Sequence, residues 1–241
     1  KWVRPRFEPS FYSGLLRKDN LRYPCAGSVL DPVVTPFWRS APLCPENAMP
    51  HRSLQIIRDE HASLATILRS MRLLVAKGPG DDSPQFFDVL RGMLFYIDEF
   101  PERQHHPKES NLLFPRVLQV APHLADLVQS LERDHVSGEK AVRELQHLLL
   151  AWELLGESRR PAFVEQCTQY VAFLKEHMRL EETVILPEAE KSLSEADWKA
   201  LDSAFAQNRD PLSGRYPPNP AYDRLFTRIV MRAPAPIGLG S

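Results

Sequence analysis

Between residues 51 and 190 apolar side chains recur in alternating steps of three and four, the spacing of helices buried along one side. The first series runs Leu54, Ile57, His61, Leu64, Leu68, Met71 and Val75 and ends at Gly78-Pro79-Gly80, a break that stops a helix. The second starts after Ser83-Pro84 and places Phe86, Leu90, Met93, Leu94 and Ile97 together before a polar run reaching Glu109. Pro101 and Pro107 are expected to bend it. The third runs Leu124, Val128, Leu131, His135, Gly138, Val142, Leu145, Leu149 and Trp152. The fourth runs Phe163, Cys167, Tyr170, Leu174, His177, Glu181 and Val184, with an expected stop at Pro187. A shorter helix is predicted from Ser194, an N-cap followed by acids and then Trp198, Leu201 and Phe205. The pattern is all-α: four long helices with bundle seams over residues 51–190, then a short helix.

The flanks differ. Eight of the 22 prolines fall within residues 1–50 and six in the last 31 residues. Residues 1–50 therefore read as an irregular arm, whose Trp2, Phe7, Phe11, Tyr12, Tyr23, Phe37 and Trp38 suit packing on the body or on a neighbour. Residues 191–241 read as the short helix plus a docking tail, in which Leu225 to Val230 is an apolar segment between proline runs.

Composition narrows the function classes. Thirty basic against 31 acidic residues leave a formal net charge of −1, with no global field to attract nucleic acid or an anionic membrane. No apolar run approaches the ~20 residues of a membrane-spanning helix, and the first residues lack the apolar stretch of a secretory signal. Three cysteines, Cys25, Cys44 and Cys167, are a sparse, odd set without C-x-x-C spacing, which predicts reduced thiols in a cytoplasm. The exposed faces and the arm permit a homodimer without requiring one.

Three seams carry a histidine at a core position: His61, His135 and His177. Glu181 joins the fourth, and no lysine or arginine occupies a seam position to neutralise it. A buried carboxylate is costly unless paired or bound to a metal. His177 and Glu181 are four apart, so imidazole and carboxylate stack on one helix face and reach one ion. His105 and Glu109 repeat the pair. Each stretch reads His-x3-Glu-x5-Pro, ending at Pro115 and Pro187, and the histidines are evenly set, 44 residues from His61 to His105 and 42 from His135 to His177. This internal two-fold repeat brings four histidines and two glutamates to one point. Two glutamates projecting into a bundle core are the expected bridges for a pair of metal ions.

Arg58-Asp59-Glu60-His61, the stretch Phe100-Pro101-Glu102-Arg103-Gln104-His105-His106-Pro107-Lys108-Glu109, and His177-Met178-Arg179-Leu180-Glu181 together resemble the bacterial hemerythrin-like, HHE cation-binding family over about residues 50–210. The resemblance implies an up-down-up-down four-helix bundle around a non-haem centre of two iron ions, with dioxygen, nitric oxide or peroxide as ligand, oxygen sensing or iron handling as roles, and activity that is binding first, with oxidase or peroxidase turnover open. It makes His61, His105, His135 and His177 terminal ligands and Glu109 and Glu181 bridges. Spacing alone also suits manganese or zinc.

Departures from the pattern raise further candidates. Oxygen-carrying hemerythrins place two histidines on the third helix, whereas here His135 is followed by Glu139, read as a solvated residue or a replacement ligand. His106 is the candidate fifth histidine. Regular helical phase turns it away from Ile97, so it is a ligand only if Pro107 rephases the turn, and otherwise an exposed residue or outer donor. Gly138 lies on the seam beside His135. It reads as room for metals and a small molecule, or as close helix packing. His51, His123 and His147 read as surface residues and Cys167 as core. Two rivals stand beside the metal-and-ligand reading: an iron-buffering or metal-responsive protein acting through a partner that its arm recognises, and a metal-free helical scaffold.

Overall fold

A computed structural model describes residues 51–213, 222–233 and Gly238, all within the unit Ala48–Ser241. The predicted arm over residues 1–50, and the proline runs around residues 217 and 235, lie outside the described residues. Among the described residues every regular element is helical, and no helix is long and apolar enough to cross a membrane.

Helix α1 (Arg52–Lys77) is followed by α2 (Ser83–Ile97), which runs without interruption into a π-helical segment, Asp98–His105. After it come the single turn α3 (His106–Lys108), a second π-helical segment Glu109–Leu113, and α4 (Phe114–Val120). The long α5 (Ala125–Leu155) leads to α6 (Arg160–Leu180), a third π-helical segment Glu181–Ile185, and α7 (Leu186–Ser192). Helices α8 (Glu195–Phe205) and α9 (Asp223–Arg232) complete the described chain. Local chemistry sets the ends. The Asp82 side chain accepts from the Gln85 N–H at 3.1 Å to start α2, and Ser194 and Asp197 form a reciprocal capping box at α8. Gly78 (φ 79°) and Gly156 (φ 83°) terminate α1 and α5 in the left-handed region, their N–H groups each closing onto a helix carbonyl at 3.0 Å.

One expected helix end is corrected: the fourth helix does not stop at Pro187 but continues to Ser192. The second runs on through its polar stretch to Val120. Pro115 and Pro187 each sit in the first two positions of the α-turn that follows a π-helical segment. Proline lacks an N–H and its ring crowds the carbonyl four residues back; the wider π turn relieves that crowding and lets the helix go on. The His-x3-Glu-x5-Pro repeat is thus also a structural repeat: each glutamate opens a five-residue π segment.

Helix α1 packs against α2 and α6, and α5 packs against the same two, closing a ring of four neighbours. Their buried side chains form two apolar clusters. One holds Trp152 against Phe86, Phe87 and Phe163, and the other holds Phe114, Ile185, Trp198 and Phe205. Along each helix of the ring the chain passes from one cluster to the other through buried polar residues: His61; then Glu102 to Glu109; then His135; then His177 and Glu181. The predicted short helix is α8, docked on α1, where the Ser53 N–H and hydroxyl both donate to Asp202 Oδ1 at 2.7 Å. His51 is not a free surface residue: its ring stacks on Trp198 at 4.3 Å. The apolar segment of the tail forms α9 and packs on α2, where Gly92 leaves room for Leu225 and Ile229. Cys167 is buried in the first cluster, and His123 and His147 are exposed.

Candidate metal centre

The four polar stretches converge. His61 comes from α1, His105 closes a π segment, His106 starts α3, Glu109 opens the next π segment, His135 comes from α5, and His177 and Glu181 straddle the end of α6. All seven are buried, and the two glutamates are 0% exposed. Six of them supply ligand atoms to two groups whose members lie within 4.8 Å of one another: His106, Glu109, His135 and His177, and His61, His105 and Glu109.

Each glutamate divides its oxygens between the groups. Glu109 turns Oε1 to His105 Nε2 at 3.1 Å and Oε2 to His135 Nε2 at 3.5 Å. Glu181 turns Oε2 to His61 Nε2 at 3.3 Å and Oε1 to His177 Nε2 at 3.1 Å. None of these four oxygens has a hydrogen-bond partner, although buried carboxylate oxygens ordinarily do.

The rings are fixed from behind. His105 Nδ1 meets Glu60 at 2.6 Å, His61 Nδ1 meets Glu182 at 3.0 Å, and His106 Nδ1 meets Glu102 at 3.0 Å. Ser110 donates to Glu132, so its oxygen is left to accept from His135 Nδ1, each contact 2.8 Å long. His177 Nδ1 faces Asp134 at 3.6 Å. With its proton on Nδ1, a neutral ring presents the Nε2 lone pair inward. Two such pairs face each other at 3.2 Å, His61 with His105 and His135 with His177. Lone pairs at that separation repel unless a proton or a cation lies between them.

Electrostatics describe the same demand. Burial opposes charge on every member, yet the carboxylates outweigh it at four imidazoles. Glu181 and Glu182 raise His61, Glu109 and Glu60 raise His105 well above the ordinary range, and Glu109 and Glu181 raise His135. Against the same burial, Glu181 and Asp134 raise His177 to about 10. Burial and the neighbouring positive rings instead push His106 well down. Burial and mutual repulsion disfavour charge on Glu109, but the histidines hold both it and Glu181 below the usual carboxylate range. Two buried anions are being neutralised by borrowed protons. Neutral imidazoles, ionised carboxylates and inward lone pairs are also the donor set that divalent transition metals take, so these residues fit a metal pair.

The six primary candidates therefore come together, and so does His106. Its helical phase was the objection, and the π segment Asp98–His105 removes it. The wide turn takes up one extra residue, about 100° of phase, so both His105 and His106 face inward. The rephasing arises before Pro107 rather than at it. Glu139 is not brought to the cluster: its side chain is 47% exposed and pairs with Arg143. Gly138 does not line a small-molecule space. A Cβ there would stand 3.0 Å from Glu102 Oε1, so its vacancy is filled by Glu102, which also accepts from Tyr170 at 3.1 Å. A cavity of about 10 Å³ lies instead among Glu60, His61, Tyr96, His105, His106 and Asp210.

The outer partners Glu60, Glu102, Ser110, Asp134 and Glu182 had no role assigned from the sequence. Glu60 and Glu182 adjoin candidate ligands in the chain, a usable signal. Asn208 and Asp210 follow α8 and carry no local signal, yet both are buried, and Asn208 donates to Glu60 at 2.9 Å while accepting from Lys108.

Residues 52–189 match the family model described as Hemerythrin HHE cation binding domain. No curated protein matches the chain.

Proposed function

The chain belongs to the hemerythrin HHE cation-binding family, and on that basis we propose that it holds a pair of iron ions within an up-down-up-down four-helix bundle and binds or senses dioxygen, nitric oxide or peroxide there. The observation that carries this reading is the division of Glu109 and Glu181, one oxygen of each toward either histidine group, the arrangement a carboxylate adopts when it spans two ions. His106, His135 and His177 would serve one ion and His61 and His105 the other, which leaves the second with fewer protein donors. A ferrous pair supplies electrons to a small oxidising ligand. Glu60, Glu102, Glu182 and Ser110 hold the imidazole protons outward and the lone pairs inward. The two apolar clusters keep bulk water from the carboxylates. The cavity reaches His61, His105 and His106 and is too small for an organic substrate.

The test is an absorption spectrum of anaerobically ferrous-loaded protein before and after air is admitted, on a sample assayed for metal. Two irons per chain with new ligand-to-metal bands is the expected result. One ion, or none, with no response to oxygen would sink the reading.

A further inference from the structure

Asn208 follows α8, beyond the matched residues 52–189, and is 1% exposed. Its amide sits between two opposite charges. Nδ2 donates to Glu60 Oε2 at 2.9 Å, and Oδ1 accepts from the Lys108 ammonium. A lysine only donates and a carboxylate only accepts, so one orientation of the amide serves both. Glu60 Oε2 is also the atom that meets His105 Nδ1 at 2.6 Å. A continuous polar path therefore leaves α3 at Lys108, crosses Asn208 and Glu60, and returns at His105.

The turn after α8 holds the amide in place. The Asn208 N–H closes onto the Phe205 carbonyl at 2.9 Å, and the Phe205 ring lies edge-on to His105 with centroids 6.0 Å apart. Further on, Asp210 accepts from the Tyr96 hydroxyl at 3.0 Å and from the Leu212 N–H at 2.9 Å, which pins the same segment on α2.

We propose that Asn208 is a positioning residue for the metal centre: it locks the Glu60 carboxylate against His105 and so sets the affinity for one ion of the two, the one that His61 and His105 serve. This rests on the di-iron reading above. The Lys108 charge on Oδ1 polarises the amide and strengthens its bond to Glu60. Without that donor Glu60 is free to turn away and pair with Lys108 directly. His105 then loses the acceptor that keeps its proton on Nδ1 and its Nε2 lone pair inward. The effect is confined to one side of the centre. His106, His135 and His177 take different outer partners, Glu102, Ser110 and Asp134, none of which belongs to this path.

The experiment titrates the full metal-free chain anaerobically with cobalt(II), a visible-absorbing analogue of ferrous ion, for the native protein, Asn208→Ala, Asn208→Asp, Glu60→Gln and the double variant Glu60→Gln with Asn208→Ala. Circular dichroism is recorded alongside. The native protein should take up two ions. In Asn208→Ala one ion should bind about tenfold more weakly, the low end of the loss that follows removal of an outer partner, and the other as tightly as before. Asn208→Asp keeps an acceptor for Lys108 but offers Glu60 no donor and a like charge. It should weaken the same ion at least as much, and it tests the proposal even if the alanine variant does not fold. The double variant should bind no more weakly than Glu60→Gln alone, because Asn208 acts through Glu60. Proton NMR of the cobalt-loaded protein adds a signature that a general loss of packing does not give. Among the paramagnetically shifted N–H signals of the ligating histidines, one should exchange faster with solvent in the Asn208 variants, and it should be the one that Glu60→Gln alters. Unchanged binding of both ions, or equal weakening of both, in the folded Asn208 variants overturns the proposal and leaves the di-iron reading intact. A native chain that takes up no ion pair overturns both.

Discussion

Glu60 stands next to His61 in the chain but holds His105, across the bundle, at 2.6 Å. His61 is held in turn by Glu182, the neighbour of Glu181. Each outer carboxylate thus sits beside one candidate ligand in sequence and fixes another in space, tying α1 to the second and fourth helices of the ring through the rings themselves. Glu60→Gln should weaken metal binding about 10–100-fold, the usual loss when an outer partner of a ligating histidine is removed. Glu182→Gln should cost less, because its side chain is 44% exposed and water can take its place. Competition against a chelator of known affinity measures both; equal, negligible effects would remove the orienting role.

Metal and protons compete for the same nitrogens. In the metal-free protein the His61, His105, His135 and His177 pKa values are raised, His177 to about 10. A raised histidine contributes stability that is complete below its unfolded value near 6.5 and is lost as pH rises through the folded value. The metal-free protein should therefore lose stability from about pH 6.5 toward pH 10, while the loaded protein keeps its own. Metal affinity should rise with pH over the same window as fewer protons must be expelled. Melting temperatures of both forms from pH 6 to 9 should diverge, and a constant difference would contradict this.

Asp210 runs the other way. Its carboxyl is raised to about 6 by burial, so the folded state prefers the protonated form and its ionisation costs stability as pH climbs from about 4 to about 6. Asp210→Asn mimics the protonated state. Relative to the native protein, the variant should gain about 2–3 kcal/mol between pH 4 and pH 7, read from denaturant unfolding at the two values. A difference independent of pH would mean that Asp210 is not held as described.

Deleting Arg103, whose side chain is 56% exposed, removes the extra residue of the π segment Asp98–His105. The segment can then close to a regular α-turn with His105, His106 and Glu109 in the same angular places, so the helical signal by circular dichroism and the binding of metal should both be kept. Inserting an alanine after Arg103 instead should rotate everything beyond it by about 100° and abolish binding. Binding kept in the insertion variant would show that helical phase is not what aims these residues.

Gly138→Ala should destabilise despite alanine's roughly 1 kcal/mol advantage in helices. The new methyl group would press on Glu102 Oε1 at 3.0 Å, and Glu102 is fixed by both Tyr170 and His106. A higher melting temperature in the variant would mean that Glu102 moves freely.

The ring of helices and the central histidines could be read from the sequence because His61, His135 and His177 obey the same three-four spacing as the leucines beside them. His106 could not be placed by that rule. Its position depends on a wide turn whose only trace in sequence is Pro101, which predicts a disturbance but not its direction. Pro187 misled for the same reason: a proline ends a regular helix but not one that has already widened at Glu181. Gly138 signalled a need for space, and only the fold reveals that Glu102 occupies it. Asn208 and Asp210 approach the site from 100 and 114 residues away from Lys108 and Tyr96 in the chain, a distance over which spacing carries no information.

The polar layer between the two apolar clusters bears on how the protein comes apart. Cooperative unfolding is transmitted by continuous packing, and here that continuity is cut at the level of the histidines, where like lone pairs face each other and two anions lie without hydrogen bonds. The proposed pair of metal ions would clamp that level and join the halves into one cooperative unit. Stripped of metal, the end around Trp152 and the end around Trp198 have separate cores and can open independently. Unfolding followed at the two tryptophans should be a single transition in the loaded protein and two in the stripped one.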